Sequence, residues 1–152
     1  MTRALVVYYS GTGNTRAMAQ AVAEGAKTVA DVEVILKEAE QASVNDLVDA
    51  DAIAFGSPTY FSYMAGVLKT LFDKAWLSRS EIEGKPFAAF TSGAGSQARS
   101  LQSIENIGTS CGLQKACPGV AVAGMPTESQ NEACRSLGAA LGKAIKNEKR
   151  LL

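Results

Sequence analysis

Five short apolar runs, separated by segments with helical spacing, confine this chain to one fold class. The runs cover residues 3–9, 32–36, 52–55, 87–90 and 119–124. Each is too short for a helix, and runs with little polar alternation suit strands buried on both faces. Between them, residues 17–26, 64–78 and a segment through Leu101, Ile104 and Ile107 carry apolar side chains at helical spacing. Ser43 fits the N-cap of a short helical turn, and a last helix is predicted from about Glu128 to Asn147, ending in a charged tail. Strand and helix alternate five times, the pattern of a single α/β domain over residues 1–152 around a parallel sheet. Right-handed crossovers then put helices on both faces, giving three layers.

Composition removes several chemistries. The 152 residues hold 15 Lys+Arg against 15 Asp+Glu and no His. Zero net charge argues against a nucleic-acid binder that lives on phosphate contacts. Without His there is no Ser–His or Cys–His nucleophile pair and no His-containing metal site. The apolar start is far too short to span a bilayer and no cleavage-site pattern follows it, so a cytoplasmic protein with no membrane contact is expected. Cys111, Cys117 and Cys134 are odd in number and lack C-x-x-C spacing, which predicts small buried or half-buried side chains, not a redox or metal role.

In such folds the loops leaving the carboxyl ends of the strands make the site. The first, Ser10-Gly11-Thr12-Gly13-Asn14-Thr15, offers three hydroxyls, an amide and a run of backbone N–H groups at a helix N-terminus. That is a phosphate cradle of neutral donors and helix dipole. The two glycines allow a tight turn and close backbone approach. It is not a Walker A loop, since the residues after Gly13 are Asn14 and Thr15 and the Lys of Gly-Lys-Ser/Thr is missing. Nor is it a dinucleotide fingerprint, since Arg16 replaces the third glycine. A receiver domain needs acidic residues after the first and third strands, where this chain has Ser10 and Ser57.

Directly after an apolar strand, that first loop resembles the phosphate loop of flavodoxins and flavodoxin-like proteins, which binds the FMN phosphate. Gly56-Ser57-Pro58-Thr59-Tyr60-Phe61, followed by Met64-Ala65 and Leu68-Lys69, is similar to the second flavin loop of flavodoxin-like quinone reductases. Thr91-Ser92-Gly93-Ala94-Gly95 resembles the third, which packs on the isoalloxazine edge. The resemblance spans essentially the whole chain. It implies a flavodoxin-like, doubly wound, five-stranded parallel sheet of order 2-1-3-4-5 between two helical layers, as in flavodoxin with FMN at its switch point. It also implies FMN bound by Ser10, Gly11, Thr12, Gly13, Asn14 and Thr15, by Ser57, Pro58, Thr59, Tyr60 and Phe61, and by Thr91, Ser92, Gly93 and Gly95. No catalytic side chain or metal ligand is implied.

The bottom-up roles agree. An isoalloxazine needs an apolar or aromatic face and backbone donors at its pyrimidine edge. Tyr60 is the first choice for that face, Phe61 having a core position as its alternative, and the N–H groups of residues 92–95 suit the flavin edge. Met64 and Trp76 are placed on the helix 64–78, Trp76 in the core, while Lys69 and Asp73 make a solvated face. Arg16 is expected to point toward solvent or a partner.

The function implied is FMN-dependent electron transfer, a carrier shuttling electrons between redox partner proteins. The alternatives are a small NAD(P)H-dependent quinone or flavin reductase using bound FMN, and a flavin-free interaction module. Two departures from the carrier pattern of paired aromatics and acidic rim stand out. Residues 91–97 contain no aromatic, and the presumed flavin surroundings are nearly uncharged apart from Arg16 and Arg99. Between Ser57 and Ala65 there is also no glycine, where the family commonly has a peptide that flips beside the flavin. Positive φ costs more at Tyr60, Phe61 or Ser62 than at glycine, so little one-electron-reduced form is expected.

Overall fold

Strands without polar alternation must be covered on both faces, and this chain covers them with two unlike helical layers. The structure, a computed structural model, describes the backbone of residues 2–151 and the side chains of residues 2–145. The charged tail expected beyond Asn147 lies outside the described side chains. In chain order the elements are β1 (Thr2–Tyr8), α1 (Asn14–Lys27), β2 (Val32–Glu38), a 3-10 turn (Ala39–Gln41), α2 (Val44–Asp49), β3 (Ala52–Tyr60) and β4 (Tyr63–Met64). Then follow α3 (Gly66–Trp76), α4 (Arg79–Ile82), β5 (Pro86–Gly93), α5 (Gln97–Ser110), β6 (Gln114–Lys115), β7 (Val120–Ala123) and α6 (Glu128–Leu151).

The sheet runs β2-β1-β3-β5, all parallel, and its far edge is one strand in two pieces. β6 pairs with Pro86 and Phe87, and β7 with residues 90–93 of the same neighbour. This is the expected 2-1-3-4-5 order with its last strand split around Pro118-Gly119, where proline has no N–H to give the ladder.

Side-chain alternation gives the sheet two different faces. Leu5, Val7, Ile53, Phe55 and Phe87 meet Leu68, Leu71 and Phe72 of α3 and Ile104 of α5. Phe55 lies 4.5 Å from Phe72 and 6.2 Å, edge-on, from Phe87 between ring centroids. Such ring pairs are worth about 0.5–1.5 kcal/mol beyond their burial. The other face presents Ala4, Val6, Ala52, Ala54 and Ala88 to α1 and α6. Cys111 and Cys134 are buried and Cys117 is half-buried, all three as free thiols, as expected. Burial pushes the Cys134 thiol up to about 11, so it stays protonated. Ser43 caps α2 as predicted, its side chain accepting from the Asp46 N–H while Asp46 accepts from the Ser43 N–H.

Two expectations are corrected. The segment 64–78 is not one helix. Met64 pairs back on Thr59 in β4, and α3 starts only at Gly66 and ends at Trp76 before the separate turn α4. Cross-strand pairing outcompetes helix extension at its first residues. Trp76 is not core. It follows the buried stripe of Leu68, Leu71, Phe72 and Ala75 by one residue, is 46% exposed, and carries the Arg79 guanidinium 4.0 Å from its ring centroid. Lys69 and Asp73 form an exposed i,i+4 pair at 2.6 Å, the solvated face expected of them. Among the described residues, no helix is long and apolar enough to cross a membrane.

The α1–α6 contact depends on glycine at close approach. A methyl group at Gly138 would overlap the Val22 carbonyl oxygen, and one at Gly25 the Arg135 backbone. We expect Gly138→Ala to lower stability by about 1–3 kcal/mol, the usual range for overpacking against groups that cannot move aside. A urea unfolding midpoint equal to that of the wild type would contradict this packing.

Candidate cofactor site at the carboxyl end of the sheet

Pairing of β1 with β3 continues one residue past β1, where the Tyr9 N–H donates to the Gly56 carbonyl at 3.1 Å. The chain then turns into α1 through Gly13, the N-cap, at φ 104°, a conformation natural to glycine. Ser10 Oγ accepts from the Gly13 N–H at 3.1 Å and the Arg16 N–H at 3.3 Å. The first N–H groups of a helix have no intrahelical acceptor. With Arg16's satisfied by Ser10, those of Asn14 and Thr15 remain at the helix end. Thr12 is exposed beside them, and Arg16 is exposed as well, as expected. Thr15 is only 1% exposed, and its hydroxyl lies 2.8 Å from that of Ser92.

β3 overruns the sheet and folds back as β4 through two residues, with Thr59 opposite Met64 and Tyr60 opposite Tyr63. Phe61 and Ser62 both have positive φ, 55° and 64°. Two such residues between paired strands make a type I′ turn, whose twist matches that of a hairpin. From the sequence, positive φ enters here as the cost of a peptide flip at Tyr60, Phe61 or Ser62. The turn already holds it at rest, because the hairpin's twist requires it. Turning over the 61–62 peptide would relieve Ser62 but carry Phe61 to positive φ with ψ near about −120°, a region kept for glycine.

Side chains behind this loop are directed inward. Ser57 is fully buried, donating to the Pro58 carbonyl at 2.7 Å and accepting from the Ala65 N–H at 2.8 Å. Thr59 donates to the Ser92 carbonyl at 2.8 Å. Tyr60 lies across the first loop, where a Cβ on Gly11 would stand 2.6 Å from its hydroxyl oxygen. Tyr9 meets the Tyr60 ring edge-on at 6.4 Å. Burial, and then Tyr9, raise the Tyr60 phenol above its ordinary value, so it is a neutral hydroxyl. Phe61 is fully exposed at the hairpin tip, which removes its core alternative.

At the end of β5, Thr91 is buried and donates to the Gln97 carbonyl at 2.7 Å. The Gly95 N–H is engaged by Gln97 Oε1 at 2.8 Å, and the Gly93 carbonyl accepts from the Gly124 N–H at 2.9 Å.

These loops enclose a cavity of about 410 Å³ lined by Thr12, Asn14, Pro58, Thr59, Ser92, Gly93, Ala94, Gly95, Ala123 and Gly124. A second opening of about 280 Å³ shares Thr59, Ala94 and Gly95 with it and is bordered by Phe61, Ser62 and Ser96. The structure thus brings eight of the residues singled out from sequence to these walls, namely Thr12, Asn14, Pro58, Thr59, Phe61, Ser92, Gly93 and Gly95. Ser10, Gly11, Gly13, Thr15, Ser57, Tyr60 and Thr91 are not on the walls. Ala123 and Gly124 were missed, although their run also ends at a strand's carboxyl end and closes on a glycine. No Asp, Glu, Lys or Arg occurs in residues 4–15, 52–68, 86–98 or 116–127, the stretches that supply all four loops. The exposed large apolar side chains Tyr60, Phe61, Tyr63 and Met125 belong to the same loops.

Comparison with known proteins agrees with this fold. The flavodoxin family profile matches residues 6–138. A flavodoxin of Aquifex aeolicus (strain VF5) is 34% identical, the match covering 95% of this chain and 88% of that one. A solved flavodoxin from the domain Archaea superposes with a TM-score of 0.88 at 29% identity, covering 95% of this chain and 99% of the other. The flavodoxin, WrbA-like protein from Agrobacterium tumefaciens superposes with a TM-score of 0.80 at 28% identity, covering 97% and 99%.

The strain in the 61–62 turn can be measured directly. Asn-Gly is the pair that a type I′ turn favours, and a left-handed residue costs an ordinary side chain roughly 1–2 kcal/mol. We expect Phe61→Asn combined with Ser62→Gly to raise the stability of the cofactor-free protein by about 1 kcal/mol in urea unfolding. A loss of stability would show that the turn is not the strained element described.

Proposed function

This chain belongs to the flavodoxin family, binds FMN and serves electron transfer, and from that premise we propose that it shuttles electrons between larger redox proteins, holding FMN in the loops at the carboxyl ends of β1, β3 and β5. The observation that carries the reading is a pair of adjoining cavities that share Thr59, Ala94 and Gly95, one reaching the neutral anion cradle at the end of α1 and the other lying between Phe61–Ser62 and Ala94–Ser96. FMN, once bound, supplies the electron chemistry itself.

The residues divide the binding work by where their polar atoms point. The N–H groups of Asn14 and Thr15 at the helix end, with Thr12 and the Asn14 side chain, suit the phosphate without any cation. Ser10 holds the loop in shape by accepting from Gly13 and Arg16. Gly11 leaves room for the Tyr60 hydroxyl beside the loop. Pro58, Thr59, Ser92 and Gly93 line the middle of the cavity and Phe61, Ala94 and Gly95 its ring-sized end. Ser57 and Thr91 fix the second and third loops from behind. Apart from Arg16 beside the cradle, the loops that border the cavity carry no charged side chain, so association with a redox partner should change little between low and moderate salt.

The third loop offers only Ala94, Gly95 and Ser96 on its side of the opening, and this favours, as a second reading, a reductase that admits a planar donor to the flavin. Mixing the yellow holoprotein with NADPH or NADH in the absence of air separates the two. The carrier keeps its colour with the nucleotides and loses it with dithionite. Rapid bleaching by either nucleotide alone would overturn the carrier reading. Because turning over the 61–62 peptide would put Phe61 in a region kept for glycine, stepwise dithionite addition should pass from the oxidised to the fully reduced spectrum with little of any intermediate spectrum. The assignment of the cradle is tested by Thr12→Ala combined with Asn14→Ala. Loss of two hydrogen bonds to a charged group, each worth about 1.5–3 kcal/mol, should weaken FMN at least about tenfold more than riboflavin. Equal loss for both ligands would place the phosphate elsewhere.

A further inference from the structure

We propose that Ser103, in the middle of α5, is a positioning residue for the flavin ring: its hydroxyl holds the 61–62 hairpin at a set distance from the third loop, so that one helix carries both walls of the ring-sized opening. The inference rests on the site assigned above and concerns a residue outside its walls. Tyr60 and Tyr63 flank a two-residue turn, so they form the hydrogen-bonded pair of the hairpin and Thr59–Met64 the non-hydrogen-bonded one. The Met64 N–H therefore points away from β3, and among the described residues no strand lies beyond it to accept. Ser103 Oγ accepts from it at 3.2 Å, across 39 residues of sequence. Met64 is 2% exposed and Ser103 8%, so water does not replace this acceptor.

That hydroxyl is aimed. It donates to the Ser100 carbonyl at 2.6 Å, one turn back on α5, which leaves its lone pairs to face the hairpin. Next to it, the Ala65 N–H donates to Ser57 Oγ at 2.8 Å. Two successive N–H groups behind the hairpin are thus taken by serines, but the serines tie it to different elements. Ser57 belongs to β3, from which the hairpin itself grows, whereas Ser103 belongs to α5. The third loop runs into Ser96, the N-cap of α5, and is tied there by Thr91 donating to the Gln97 carbonyl and by Gln97 Oε1 accepting from the Gly95 N–H. From Gln97 to Ser103 is six residues, about 9 Å of helix. The opening lies between Phe61–Ser62 and Ala94–Ser96, so its width is set by a stretch of helix and not by the loops alone. A gap of about 0.5–1 Å forfeits a quarter to a half of the dispersion attraction between facing atoms, which makes that width matter to a flat ring.

The isoalloxazine alone, as lumiflavin, reads the width without the phosphate. Its binding to the full chain, freed of FMN, is followed by flavin fluorescence, and the setting of bound FMN by visible circular dichroism. Ser103→Ala leaves the Met64 N–H buried without an acceptor. The cost of bringing the hairpin back then falls on ring binding, so lumiflavin should weaken by about fivefold or more. The FMN dichroism should change with it. Ser103→Thr keeps the hydroxyl and should restore both. Ile104→Val removes a buried methyl group at the next position, lowers stability without touching the hydroxyl, and should leave both as in the wild type. Where Ser103→Ala does not fold, hydrogen exchange of the Met64 amide in the cofactor-free wild type decides. It should be slow, as in the β3 ladder, and rapid exchange overturns the inference. Wild-type affinity and dichroism in Ser103→Ala overturn it as well, as does an equal loss in Ile104→Val. If the wild type binds neither FMN nor lumiflavin, the site assignment fails instead, and the two failures are thereby distinguished.

Discussion

The parallel ladder of β3 between β1 and β5 is the constraint on which the rest depends. Residues 52–57 of β3 are buried, and its neighbours are buried along most of their length. A ladder dry on both faces leaves no choice but two helical layers and crossover connections, and these bring every loop that leaves β1, β3, β5 and β7 out at one end. The faces are unequal. One side, mostly alanine, is covered by α1 and α6, which approach each other at Gly25 and Gly138, while Phe55 and Phe87 on the other side fill the space beneath α3 and α5. The site is the rim of this arrangement, and its rigidity is borrowed from the ladder.

At that rim, hydroxyl groups are sorted by burial. Ser57, Thr91, Thr15 and Ser92 all have internal partners, as buried hydroxyls must. What stays available to a ligand is backbone N–H at a helix end together with Thr12 and Asn14. An anion there is balanced by a dipole and by neutral donors, with Arg16 exposed beside it and no carboxylate in the surrounding loops. The four loops around the cavity thus carry none of the protein's thirty charged side chains, Arg16 standing just beyond the first of them. A hairpin held in a type I′ turn by Phe61 and Ser62 adds a stiff apolar projection next to the ring-sized opening.

Much of this could be read from the chain. The five apolar runs correspond to β1, β2, β3, β5 and β7, because a strand buried on both faces writes its own length as continuous hydrophobicity. The cradle was also legible, since Gly13 and the hydroxyls around it act within one turn of chain. The hairpin was not. Apolar residues at positions 64, 68, 71 and 72 satisfy helical spacing equally well whether or not Met64 is diverted to pair with Thr59. Trp76 likewise satisfied the spacing, yet it stands one residue past the buried stripe and is half exposed.

By itself, then, the sequence determined the class of fold, the end of the sheet at which a site must lie, and the neutral character of its first loop. These follow from hydrophobic period and from turn chemistry, which act between near neighbours. Only the tertiary structure decided which hydroxyls face the cavity and which are tied inward, why Tyr60 needs a glycine at position 11, and that Ala123 and Gly124 complete the wall. The reason is physical. The partner of Thr15 is Ser92, 77 residues away, and that of Thr59 is the carbonyl of the same Ser92, 33 residues away. No local pattern carries such pairings, because they exist only once the ladder has set its register.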